Sequence, residues 1–99
     1  MNRKNKKRNN KDLLKDKDIV RWMHDVTTGS KVTGDVYFRR LGAFCKEVNK
    51  SPQELIKMKD KALNDLISDY IINKEKEGYA GSYVKSTLKA VKSWLIFES

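Results

Sequence analysis

The sequence predicts an all-α fold, a compact bundle of four to five helices. Three observations carry that prediction. Apolar residues keep helical spacing in segment after segment. Serine, proline and glycine stand where helices start and stop. No stretch sustains the alternation of a strand, and no internal repeat is present.

The first segment is "DIVRWMHDV", where Ile19, Trp22, Met23 and Val26 fall at i, i+3, i+4 and i+7. Asp18 is the expected N-cap, and "TTGS" is expected to break the helix. The next helix is predicted from Lys31 to Val48, with Tyr37, Leu41, Phe44 and Val48 as its core stripe. Ser30 suits its start and Asn49 its end, while Gly34 and Gly42 suit close helix contacts. "SPQEL" combines a serine cap, Pro52 in the first turn and Glu54 three residues after the serine, a capping box. It should open a short helix to about Met58. A fourth segment, from Asp60 to Glu77, should bury Leu63, Leu66, Ile67, Tyr70 and Ile71, with Gly78 ending it. The last, "GSYVKSTLKAVKSWLIFE", repeats Val84, Leu88, Val91 and Leu95 at i, i+4, i+7 and i+11. Its Trp94, Ile96 and Phe97 fall on other faces and need covering, for which Trp22 and Met23 are available.

At 99 residues the chain has room for one core. No apolar run nears the ~20 residues that span a bilayer, so no membrane role is expected. The basic N-terminus is not followed by the apolar stretch of a secretory signal. A single cysteine, Cys45, cannot form an internal disulfide, which suits a reducing compartment. With His24 the only histidine, a zinc site of three or four Cys and His ligands is excluded.

The net charge is +9, unevenly spread. Residues 1–17 hold eight Lys and Arg against Asp12 and Asp16, a net +6, which leaves +3 for residues 18–99. An asparagine- and lysine-rich tail of this kind is expected to bury nothing. It reads either as a solubilising extension or as an electrostatic arm for nucleic acid. The helical domain is expected over residues 18–99.

Within that domain, basic charge gathers on the last helix. On a helical wheel Lys85, Lys89 and Lys92 fall together, roughly 100° from the Val84–Leu88–Val91–Leu95 stripe, with Ser82, Ser86 and Ser93 just beyond. Ammonium and hydroxyl groups both donate to phosphate oxygens, and an α-helix fits the major groove of B-DNA. Exposed helices often carry solvated lysines, but such faces normally mix signs. The preceding segment does so, with Asp65, Asp69, Lys74, Glu75, Lys76 and Glu77. Arg39 and Arg40 form a second basic point. Arg40, at the core edge, suits either a phosphate contact or an ion pair.

The order of these motifs resembles a known family. The run S-x-x-T-x-x-x-Y-x-x-x-L-x-x-F (Ser30, Thr33, Tyr37, Leu41, Phe44) comes first, then "SPQEL" and a helix ending in glycine, then S-Y-V-K-S-T-L-K-A-V-K-S-W-L-x-F. Together they are similar to the N-terminal SAM-like, or core-binding, domain of tyrosine recombinases, the phage-integrase family. "DIVRWM" looks like the helix that opens this domain in archaeal-type members. The resemblance covers about residues 18–98. It implies half of a clamp on double-stranded DNA, used in DNA integration and recombination. By position it implies contacts from Lys31, Thr33, Arg40, Ser82, Tyr83, Lys85, Lys89 and Lys92, with Lys85 foremost. It also implies a separate catalytic domain, whose arginine–lysine–histidine set and tyrosine nucleophile have no match here, since no arginine follows Arg40. The chain thus reads as one domain of a longer recombinase, cytoplasmic, DNA-associated and prokaryotic or viral.

No catalytic constellation, metal site or cofactor is expected. Tyr37 and Tyr70 lie on apolar stripes, and Tyr79 and Tyr83 lack the activating groups a tyrosine nucleophile needs. His24 should be exposed, Cys45 a small buried apolar group, and Asp65 and Asp69 neighbours on a wet face. The isolated domain is expected to be a monomer. A helical protein-interaction module, docking through "WLIF", and an RNA-binding domain with the same basic face are the alternatives.

Overall fold

The fold is described by a computed structural model over residues 13–98. Those residues form α-helices joined by short turns, and no strand occurs among them. In chain order the helices are α1 (Lys17–Gly29), α2 (Lys31–Val48), α3 (Pro52–Lys57), α4 (Asp60–Lys76) and α5 (Gly81–Glu98). The all-α expectation therefore holds. Helix α2 is central, packing on both α1 and α5.

Helix α1 begins earlier than expected. Its cap is Asp16 rather than Asp18: the Asp16 carboxylate accepts from the Asp18 and Ile19 amides at 2.8 and 3.4 Å. Its other oxygen accepts from the Gln53 amide at 2.9 Å, tying this turn to α3. Leu13 packs into the core, so the expectation that residues 1–17 bury nothing is corrected at the far end of that segment. Residues 1–12 of the basic tail lie outside the described residues. Nor do Thr27 and Thr28 break the helix. Both hydroxyls donate back to the His24 carbonyl and Thr27 also to that of Met23, so neither polar group interrupts the backbone ladder and the helix runs on to Gly29.

Four other ends follow the sequence. Ser30 Oγ accepts from the Thr33 amide at 3.2 Å, and Asn49 closes α2 in the left-handed region at φ 58°. Ser51 and Glu54 complete the capping box, with distances of 3.1 and 2.7 Å. Gly78 adopts φ 85°, a conformation that costs a residue with a Cβ but not glycine. Gly34 marks the close approach of α1 and α2. A Cβ there would run into the Thr27 side chain and sit 3.2 Å from the Thr27 Cα.

The core differs from the predicted stripes in two places. On α5 the fully buried residues are Thr87, Ala90, Val91 and Trp94, with Val84 close behind, while Leu88 and Leu95 are only half-buried. The helix is rolled so that Trp94 points inward. Its Nε1–H donates to the Pro52 carbonyl at 3.0 Å, and its ring meets Trp22 edge-on at 5.7 Å. An indole carries more apolar area than a leucine and one polar atom that must be paired, so it fixes the roll. Trp22 thus supplies the expected cover, with its own Nε1–H donating to Ser93 Oγ at 3.1 Å.

Helix α4 is the second difference. Only Tyr70 of its five expected core residues is fully buried; Leu63, Leu66, Ile67 and Ile71 are half-buried. A lysine takes the other buried place. Lys74 is 5% exposed, and its Nζ donates to Glu47 of α2 at 2.9 Å and to Glu77 at 3.0 Å. The hydrogen bond to Glu47 raises its pKa above the usual lysine range, outweighing the burial that acts against the charge. Cys45 is buried and His24 exposed, as expected.

Candidate nucleic-acid interface

Rolling α5 onto Trp94 also moves its lysines. Measured from the centre of the buried face, Lys85, Lys89 and Lys92 point roughly 160° away, opposite the core rather than beside it. All three are exposed. Among the described residues none of them has an ion-pair partner. Seven residues of helix spread these ammonium groups over about 10 Å. That is roughly three nucleotide steps of one DNA strand.

The ridge borders a groove of about 510 Å³ between α5 and the first turns of α2. On the α5 side it is lined by Ser82, Lys85, Ser86 and Lys89, and on the α2 side by Val32, Thr33, Val36 and Tyr37. Tyr37 is set there by stacking on Trp22, with ring centroids 6.5 Å apart. Beyond Tyr37 the depression continues along Lys92, Ser93, Ile96 and Phe97, where Asp25 of α1 is its acidic member. Helix α2 has no acid in its first turn, so the positive end of its dipole adds to the lysines.

Four of the expected contact residues, Thr33, Ser82, Lys85 and Lys89, therefore share one groove, and Lys92 extends it. Lys31 is exposed in the first turn of α2 but does not line it. Arg40 and Tyr83 are placed differently. The Arg40 guanidinium lies 4.7 Å from the centroid of the Tyr83 ring, so its partner is an aromatic face and not an acid. Arg39, by contrast, pairs with Asp35 at 3.1 Å.

Tyr83 belongs to a second cleft, lined by Arg39, Lys46, Glu47, Lys74 and Tyr79. Its charges largely cancel, because Lys74 is held by Glu47 and Glu77 and Arg39 by Asp35. It lacks the single sign of the first groove. Sequence reasoning found the lysines and serines of the first groove but missed Val32, Val36 and Tyr37 as its opposite wall. The available signal was that Val32 falls off the apolar stripe of α2. Among the described residues no cluster of His, Cys, Asp and Glu could hold a metal ion, and no helix is long and apolar enough to cross a membrane.

Compared with known proteins, the chain matches no family model, no curated protein and no solved structure.

Proposed function

We propose that this chain is a duplex-DNA-binding domain that grips DNA with α5 and the first turns of α2, as the core-binding half of a tyrosine recombinase clamp does. The observation that carries the reading is the segregation of charge. Three lysines, without acidic partners among the described residues, point directly away from the core, and two of them, Lys85 and Lys89, border a groove whose other polar groups are hydroxyls. Helices that are merely solvated mix signs, as α4 does with Lys61 paired to Asp65. Lys85, Lys89 and Lys92 act on phosphates, Ser82 and Thr33 add hydroxyl contacts, and Lys31 adds charge at the rim. Arg40 and Tyr83 support the start of α5 from behind.

The domain acts by binding, with strand cleavage assigned to a separate catalytic domain and with no metal or cofactor of its own. Integration or recombination of DNA in a cytoplasmic setting follows from that role. Alone it binds weakly as a monomer, with a non-specific Kd of about 10⁻⁴–10⁻⁶ M. A docking role for "WLIF" has less support: Trp94 is fully buried, Leu95 and Phe97 are half-buried, and only Ile96 is exposed.

An amide NMR titration with a short random-sequence duplex, at low and moderate salt, tests the proposal. Shifts concentrated on residues 31–37 and 82–92 that shrink as salt rises are the expected result. A response confined to residues 3–17 would assign binding to a polycationic tail and overturn the groove. Stronger competition by an RNA duplex than by DNA would favour the RNA reading.

A further inference from the structure

Phosphate contacts leave one wall of the groove without a task. Val32 is 74% exposed, more than any other large apolar side chain among the described residues. It stands in the first turn of α2, nearly opposite Leu41 and Cys45 on the helical wheel, so it contributes nothing to the core. Yet it lines the same groove as Lys85 and Lys89, beside Thr33, which carries a methyl group as well as its hydroxyl. An apolar group so placed gains free energy only when something apolar covers it.

A duplex held by those lysines offers one strongly apolar feature on its base edges. In the major groove that feature is the C5-methyl group of thymine. The first turn of α2 is suited to approach it, since it has no acidic side chain to be repelled by phosphates.

We infer that Val32, assisted by the Thr33 methyl, reads thymine through its C5-methyl group while the α5 lysines hold the flanking phosphates. This rests on the DNA reading above and adds a base preference to it. It also separates DNA from RNA, because uracil lacks the methyl and the major groove of an RNA helix is too narrow to enter.

The test compares two duplexes of about 20 base pairs, one alternating A and T, the other identical except that deoxyuridine replaces every thymidine. Binding of the full chain is followed by fluorescence anisotropy at low salt. The parent protein should bind the thymine duplex about fourfold more tightly, the factor expected for covering roughly one methyl group. Val32→Ala, whose fold is checked by circular dichroism, should lose most of that preference, keeping only the small part that the Thr33 methyl and the alanine methyl supply. Lys85→Ala should weaken both and keep their ratio. Equal parent affinities, or a ratio undiminished in Val32→Ala, would overturn the inference and leave the DNA reading standing. Failure of the parent to bind either duplex would remove both.

Discussion

The Arg40 guanidinium stacks 4.7 Å over the Tyr83 ring and so joins the middle of α2 to the first turn of α5. The family resemblance implies DNA contacts for both residues, and in the fold they meet each other as well. The contact belongs to a row. Tyr83 lies 4.9 Å from Tyr79, and Lys74 Nζ sits 4.3 Å over the Tyr79 ring. Cation, ring, ring and cation thus pin the α4–α5 turn, and with it the start of the helix that carries Ser82 and Lys85.

If that row acts as a unit, its members should be coupled. Arg40→Ala and Tyr83→Leu should each lower stability, with about 1 kcal/mol due to the stacked pair. The double variant should lose less than the sum of the singles. Urea denaturation of the four proteins measures this, and strictly additive losses would show that the stacking contributes nothing.

The lysines of α5 should reveal themselves through salt. Log Kd for a duplex plotted against log salt should become shallower by about 0.9 for each phosphate that Lys85→Ala or Lys89→Ala leaves without its ammonium group. Arg39→Ala should change the slope less, because Arg39 is already paired with Asp35. Unchanged slopes in both lysine variants would place the phosphate-binding groups elsewhere.

At Gly34, packing overrides helix propensity. Alanine is normally the better helix former by about 1 kcal/mol. Here its Cβ would strike Thr27, whose hydroxyl is committed to the Met23 and His24 carbonyls. Gly34→Ala should therefore destabilise the domain by about 1–3 kcal/mol. Adding Thr27→Ala should restore only part, since the Thr27 Cα and Cβ remain 3.2 Å from the new atom. Thermal melts of the two variants decide it.

Burial, and then the charges of Asp18 and Asp16, raise the pKa of Glu98, with Arg21 opposing. Folding therefore disfavours its ionised form. That penalty is complete above the folded-state pKa, fades as pH falls through it, and is gone below the unfolded value of about 4.3. Glu98→Gln should accordingly be the more stable protein at neutral pH and lose its advantage by about pH 3. Melting temperatures across that range check the sign.

Sequence by itself determined the helices and most of their ends. Apolar period, the Ser30 cap, the Ser51–Glu54 box, Asn49 and Gly78 are local signals, and each acts within one or two turns of the chain. The cluster of Lys85, Lys89 and Lys92 was legible for the same reason, because residues three and four apart share a helix face whatever surrounds them. Only the tertiary structure decided which face of α5 turns inward. Val84, Leu88, Val91 and Leu95 form the neater stripe, but Trp94 has the larger apolar area and an N–H that the Pro52 carbonyl accepts. That choice aimed the lysines straight outward. It also brought α5 against the first turns of α2, so that Val32 and Lys85, far apart in sequence, line one groove. The Lys74–Glu47 pair was hidden likewise, because a lysine on a mixed-charge helix reads as solvated until a partner from another helix covers it.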